Sequence, residues 1–150
     1  MTLSERVASE ITAAMKAQDA PRLSTLRMLK AAIMNREVEK GRGLTDEEVL
    51  QVVAGLVKQR RDSVEQFSKA GRDDLVRKET AEIAVLAEYQ PPAATTGEIE
   101  AAVAAAVAET AASTAKDIGR VMKAVMPKLT GKSVDGRLVN EAVKRQLSGV

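Results

Sequence analysis

The sequence predicts an all-α protein, with about four helices in an N-terminal domain followed by a small C-terminal three-helix domain. Apolar residues recur with helical rather than alternating spacing in every long segment. Helix-capping motifs and helix breakers recur at intervals of one helix length. The paired prolines Pro91-Pro92, followed by Ala-Ala-Thr-Thr-Gly, interrupt this pattern and favour a boundary that divides the chain into residues 1–92 and 93–150.

The limits of the four N-terminal helices are marked by caps and breakers. Thr2-x-x-Glu5 and Thr45-x-x-Glu48 are capping boxes that predict the starts of the first and third helices. Pro21 suits the first turn of the second helix. The residues predicted to face the core are Val7, Ile11 and Met15 in the first helix, Leu23, Leu26, Leu29 and Ile33 in the second, Val49, Val52, Leu56, Val64 and Phe67 in the third, and Leu75, Ile83, Leu86 and Tyr89 in the fourth.

Gly55 lies inside the third predicted helix. A glycine there costs about 1 kcal/mol relative to alanine. This cost favours a close crossing of another helix at Gly55.

The three C-terminal helices are shorter. One begins at the capping box Thr95-x-x-Glu98, the next spans about residues 116–126, and the last spans about residues 137–147. Ser113 is predicted to cap the middle one.

Composition excludes several function classes. The chain has no cysteine and no histidine, which removes disulfides, thiolate chemistry, the usual zinc ligands and imidazole-activated nucleophiles. The carboxylates Glu79, Glu82 and Glu88 are interspersed with cations, as on a solvated helix face. We therefore predict no catalytic residues, no metal and no cofactor.

Two short motifs resemble catalytic signatures but lack the rest of them. Gly131-Lys132-Ser133 resembles the end of a phosphate-binding loop, but Met126 stands where the leading glycine is required. Ser113-x-x-Lys116 matches a nucleophile pair of penicillin-binding enzymes without the accompanying elements. A structural loop and a helix cap explain them better.

The N-terminus does not resemble a signal peptide, and the longest uncharged apolar run, residues 101–108, is far shorter than the roughly 20 residues of a membrane span. These features predict a soluble, cytoplasmic protein.

Positive charge is concentrated at the C-terminal end. Residues 1–112 hold 15 Lys/Arg and 18 Asp/Glu, whereas residues 113–150 hold 8 Lys/Arg and 3 Asp/Glu. Lys116, Arg120 and Lys123 follow helical spacing and form one stripe. The pattern alone favours ordinary solvent-facing charges, and the alternative is a phosphate-binding face. The eight candidate phosphate contacts are Lys116, Arg120, Lys123, Lys128, Lys132, Arg137, Lys144 and Arg145.

The scarcity of aromatic residues restricts the nucleic acid that such a face could bind. Phe67 and Tyr89 are the only aromatic residues, and both occupy core-like positions. A single-strand binder normally needs exposed aromatic platforms. A folded or duplex RNA, recognised by backbone and shape, remains compatible, and transfer RNA fits this restriction.

Four segments resemble the GatB/YqeY family. They are residues 58–79 (Lys-Gln-Arg-Arg-Asp-Ser-Val-Glu-Gln-Phe-Ser-Lys-Ala-Gly-Arg-Asp-Asp-Leu-Val-Arg-Lys-Glu), 86–91 (Leu-Ala-Glu-Tyr-Gln-Pro), 117–128 (Asp-Ile-Gly-Arg-Val-Met-Lys-Ala-Val-Met-Pro-Lys) and 131–144 (Gly-Lys-Ser-Val-Asp-Gly-Arg-Leu-Val-Asn-Glu-Ala-Val-Lys). The resemblance covers essentially the whole chain and is strongest to free-standing YqeY-like proteins.

The resemblance implies a helical protein similar to the tail with which the tRNA-dependent amidotransferase grips tRNA. It implies a tRNA partner and an association with carbon–nitrogen ligases that use glutamine as amide donor. The alternative is an adaptor that docks its N-terminal helices on an amidotransferase or a synthetase without contacting RNA. Intrinsic amide transfer is the least favoured interpretation, because no nucleophile constellation is present.

Overall fold

The prediction of an all-α fold in two parts is confirmed by a computed structural model, which describes residues 1–148. Its seven α-helices are α1 (Leu3–Lys16), α2 (Ala20–Lys40), α3 (Asp46–Lys69), α4 (Asp73–Ala87), α5 (Thr96–Thr110), α6 (Ile118–Val125) and α7 (Gly136–Ser148). Two 3₁₀ turns, Ala115–Asp117 and Met126–Leu129, flank α6. Over the described residues the only β-type pairing is an isolated bridge between Ala93 and Ser133.

The chain packs as two units, Met1–Gln90 and the residues from Pro91 onward. Each unit has its own hydrophobic core. The fully buried large side chains of the first unit are Val7, Leu26, Leu29, Val49, Val53, Val57 and Leu86, and those of the second are Val103, Val121, Val125, Val139 and Val143.

The predicted capping boxes form at three helix starts. The Thr2, Thr45 and Thr95 hydroxyls each accept a hydrogen bond from a backbone N–H three residues later, at 3.1–3.2 Å. The glutamate at that later position accepts from the threonine N–H in return. These reciprocal bonds satisfy N–H groups that a helix start leaves without partners.

The buried face of α3 differs from the predicted one. The deepest positions are Val49, Val53 and Val57, followed by Arg60, whereas the predicted Phe67 is only half-buried. Because α3 is covered by both α4 and α2, its line of deepest burial follows the i, i+4 row. Similarly, in α1 the small Ala14 is buried and the predicted Met15 is exposed.

The predicted close helix crossing at Gly55 is wrong. Gly55 is exposed, and a Cβ atom built on it would meet nothing within 4 Å. It lines an open cleft of about 250 Å³ between α2 and α3, together with Ala32 of α2 and Leu56 of α3. No packing contact therefore compensates for the low helix propensity of this glycine.

Buried Tyr89 is the centre of a polar cluster in the first unit. Its hydroxyl donates a hydrogen bond to the Glu10 carboxylate, and the Arg6 guanidinium lies 4.5 Å from its ring centroid. Arg22 bridges Glu88 and Glu10, with N–O distances of 2.6 and 3.3 Å. The cluster joins α1, α2 and the end of α4.

These contacts change the acidity of two groups. Burial, together with the hydrogen bond to Glu10, raises the pKa of Tyr89. Burial alone would raise the pKa of Glu10, but hydrogen bonds from Tyr89 and Arg6 outweigh it, so the pKa is lowered.

Arg60 forms a second long-range polar link and corrects the interpretation of α4 as carrying a solvated acidic face. Its side chain is nearly buried and donates to Glu82 Oε2 at 2.9 Å, to the Leu56 carbonyl at 3.0 Å and to the Met28 sulfur. Glu82 and Glu88 thus fix α4 to α3 and α2 through ion pairs.

Candidate nucleic-acid interface

The candidate interface is built around α6 of the second unit. Thr114, rather than the predicted Ser113, is the N-cap of the 3₁₀ turn that precedes α6. The Asp117 carboxylate accepts hydrogen bonds from the backbone N–H groups of both residues, at 3.1 and 3.2 Å. The Asp117 carboxylate also accepts a hydrogen bond from the Arg120 guanidinium, with an N–O distance of 2.9 Å. This aspartate therefore lies on the basic surface and partly neutralises its charge.

The amphipathic pattern of α6 decides which side chains face outward. Val121 and Val125 are completely buried in the core of the second unit. Arg120 and Lys123 lie on the opposite, exposed side. The spacing of apolar residues therefore positions the cations at the surface.

Arg120 and Lys123 border an open cleft of about 670 Å³. Its other lining residues are Gly119, Met122 and Met126, so the two cations lie beside an apolar surface of the same segment. Met126 is 44% exposed. Met122 is half-buried and packs against the core of the second unit.

Lys144 approaches the same region from α7. It lines a smaller cleft with Leu147 of α7 and with Ala115 and Ile118, which lie at the start of the α6 segment. Lys116 is the residue after Ala115 and is exposed. The structure therefore places a predicted cation of the last helix beside the start of the α6 segment.

Three other predicted cations pair with carboxylates of α5. The pairs are Lys128–Glu109 at 2.7 Å, Lys132–Glu98 at 3.8 Å and Arg145–Glu100 at 4.0 Å. The eighth predicted residue, Arg137, is exposed near the start of α7, and its N–H donates to Asp135 at 2.9 Å. Only the folded chain reveals that α5 supplies acids to this surface.

Seven of the eight predicted residues thus divide into two sets with different electrostatics. We call Lys116, Arg120, Lys123 and Lys144 the open basic face, and Lys128, Lys132 and Arg145 the paired edge. Within residues 1–148 no carboxylate forms an ion pair with Lys116, Lys123 or Lys144. The open basic face therefore retains more of its positive charge for an external anion.

The short motifs have structural roles. Ser133 donates its N–H to the Pro92 carbonyl at 2.9 Å and accepts from the Ala94 N–H at 2.8 Å, so Gly131-Lys132-Ser133 is part of a linking loop.

Among the described residues, no three Asp or Glu side chains are grouped to hold a metal ion. No helix in the described part of the chain is both long and apolar enough to cross a bilayer.

The fold and these surfaces define a small helical protein with a basic face in its second unit. The chain belongs to the family of YqeY-like proteins, whose model matches residues 4–147. This confirms the family resemblance found in the sequence.

Similar curated proteins carry the name altered inheritance of mitochondria protein 41, mitochondrial. The one from Pyrenophora tritici-repentis is 29% identical over 140 residues, which cover 93% of this chain and 77% of the relative. Those from Lachancea thermotolerans and Kluyveromyces lactis are 37% and 40% identical over 97 residues, which cover 63% of this chain and 52% of each relative. For these last two, the match spans about half the length of the relative.

Proposed function

We propose that this protein binds folded RNA of the tRNA type through the open basic face. The observation that carries the proposal is the grouping of Arg120 and Lys123 around one apolar cleft, with Lys144 brought beside the same helix. Phosphate oxygens are the ligands that such a cluster of exposed cations favours.

The dimensions of the face suit a phosphate backbone. Lys116 lies in the 3₁₀ turn before α6, whereas Arg120 and Lys123 lie on α6 itself, so the three cations extend over about 11 Å along this segment. This length admits contacts with several phosphates of one strand. Lys144, on α7, lies beside the start of the α6 segment and adds a cation from a second helix.

The location of the aromatic residues favours folded RNA over an unstructured strand. Tyr89 is buried and Phe67 is half-buried, and both belong to the first unit. The face therefore has no aromatic ring on which unpaired bases could stack. Met122 and Met126 instead provide an apolar floor for a ribose or a base edge, while the cations contact the backbone.

The similarity of the chain to the tail of the tRNA-dependent amidotransferase supports tRNA as the partner. The names of the relatives refer to the inheritance of mitochondria and do not mention RNA. The protein would act as an accessory module, because the resemblance concerns a binding tail rather than a catalytic body.

The proposal is tested by fluorescence anisotropy of labelled tRNA across a salt series. If three or four phosphates are neutralised, the slope of log K against log salt should be about −2 to −4. The variant K116A/R120A/K123A should weaken binding to all tRNA sequences alike and make this slope less negative by about 2 to 3.

The paired edge provides a matched control with the same number of removed charges. Because each of Lys128, Lys132 and Arg145 has an α5 carboxylate within 4.0 Å that offsets part of its charge, the variant K128A/K132A/R145A should change the slope by less than the open-face variant does, by about 1. Equal effects of the two triple variants would contradict the assignment of the open basic face. Absence of tRNA binding at low salt would refute RNA binding and favour an adaptor that docks on an amidotransferase or a synthetase.

A further inference from the structure

Helix α2 presents a line of residues to solvent on the side opposite its buried face. The line consists of Arg27, Ala31, Met34 and Val38, which follow one another at intervals of four, three and four residues. Met34 is 54% exposed and Val38 is 81% exposed. The buried side of the helix carries Leu26, Leu29 and Ile33, so this line, which we call the α2 seam, does not contribute to the core of the unit.

The spacing of the α2 seam is that of the contact positions of a two-helix coiled coil. Alternating steps of three and four residues keep side chains on one stripe facing a partner helix. A single exposed apolar residue needs no explanation. Here two exposed apolar residues, Met34 and Val38, lie next to each other on the seam, and exposed Ala31 precedes them by one position of the pattern. Together they form the centre of a short heptad pattern.

We propose that the α2 seam pairs with the α2 seam of a second copy of this chain, with the two helices antiparallel. In this arrangement Ala31 of one copy lies opposite Met34 of the other, so a small residue faces a large one in each central layer. The aliphatic part of Arg27 then covers Val38 of the second copy, and its guanidinium remains in water.

The charged residues beside the seam are self-complementary in this arrangement. Lys30 and Glu37 flank the seam on the same side and are seven residues apart, about 10 Å along the axis, so they do not pair within one helix. In the antiparallel pair, residues 31 and 34 share a layer, and the same register places Lys30 beside Glu37 of the second copy. The two-fold symmetry makes this contact twice. Over residues 1–148 neither side chain has an ion-pair partner within its own chain.

A parallel pair lacks these features. It would place Arg27 against Arg27 and Ala31 against Ala31, which combines charge repulsion with an underfilled layer. It would also align the two helix dipoles in the same direction. The residue types of the seam therefore favour a second copy in the antiparallel direction.

The seam is short, with only four contact layers. We therefore expect a weak, concentration-dependent dimer, with a dissociation constant between about 10 µM and 1 mM. This proposal does not depend on RNA binding, because the open basic face lies in the other unit.

Charge reversal with rescue tests the proposal, using the full chain in sedimentation equilibrium over a concentration series. K30E and E37K should each weaken dimerisation about five- to tenfold, because each converts two attractive contacts into two repulsive ones. The double variant K30E/E37K should restore the wild-type dissociation constant. Rescue is specific to a mutual contact of these residues between copies.

Two further variants separate the seam from general charge effects. V38D should leave the protein monomeric at concentrations that dimerise the wild type, with unchanged helix content, because residue 38 is mostly exposed. K78E, which reverses an exposed lysine of α4, should have no effect on dimerisation. A wild-type chain that stays monomeric up to about 1 mM, or a double variant that is no better than the single ones, would overturn the proposal and leave a different partner for this face.

Discussion

At the scale of single residues, a cluster of polar side chains around buried Tyr89 links distant parts of the first unit. Glu10 lies in α1 and Tyr89 lies just after the end of α4, yet they share a hydrogen bond. Arg6 and Arg22 surround the pair and hold the carboxylate ionised. The carboxylate satisfies the buried hydroxyl and in turn accepts hydrogen bonds from both arginines.

This pair predicts loss of stability at both ends of the pH scale. The pKa of Glu10 is lowered from 4.5, so its contribution to folding is complete above about pH 4.5 and is lost as the pH falls. The pKa of Tyr89 is raised from 10.0, so its contribution is present below about pH 10 and is lost as the pH rises. Urea denaturation across pH should show both losses.

Two variants measure how much of the acid and alkaline loss of stability comes from the Tyr89–Glu10 pair. Y89F should reduce the free energy of unfolding by about 1–2 kcal/mol near neutral pH and diminish the alkaline loss. E10Q should diminish the acid loss, because a glutamine does not titrate. Acid and alkaline slopes that are identical in Y89F, E10Q and wild type would show that this cluster does not control them.

At the scale of secondary-structure elements, helix starts and helix ends follow local chemistry, whereas the interior of α3 does not. The glycines Gly41 and Gly71 end α2 and α3 in the left-handed conformation, each with a φ of 70°. An L-residue with a side chain adopts this conformation only at a cost, so these glycines have a structural reason. Gly55 has no such structural reason within a single chain.

Replacement of Gly55 by alanine should therefore stabilise the protein. The new methyl group meets no atom within 4 Å, and alanine gains about 0.5–1 kcal/mol over glycine inside a helix. The midpoint of urea denaturation should rise. The matched control G41A should lower it, because of the positive φ at this position. A destabilised G55A variant would mean that the open cleft beside α3 is not available to a side chain.

At the scale of the whole molecule, the chain has two separate hydrophobic cores. Residues up to Gln90 form one, and residues from Pro91 onward form the other. Residues 1–90, prepared alone, should therefore unfold cooperatively with urea. The segment from residue 91 onward should retain helical structure with a lower midpoint, because a chain of about 60 residues buries only about 60% of its unfolded surface. Circular dichroism and urea titration of the two fragments measure both outcomes. A first fragment without a cooperative transition would contradict the independence of its core.

Local signals in the sequence determined the helices of this protein. Thr45 and Glu48 predict the start of α3 correctly because a capping box needs only residues within one turn. Val139, Val143 and Leu147 form the buried face of α7, and their four-residue spacing places them on one side by helical geometry alone. All eight cations of the candidate interface were also identifiable from composition and spacing.

The tertiary structure decided which of those charges remain open and which are paired. Glu98, Glu100 and Glu109 lie on α5, and only folding brings them to Lys132, Arg145 and Lys128. Arg60 and Glu82 are likewise separated by 22 residues before they meet. The physical reason is the range of the interactions. Hydrogen bonds within one helical turn are fixed by the order of neighbouring residues, whereas ion pairs between helices depend on packing angles and on faces that neighbouring residues do not specify.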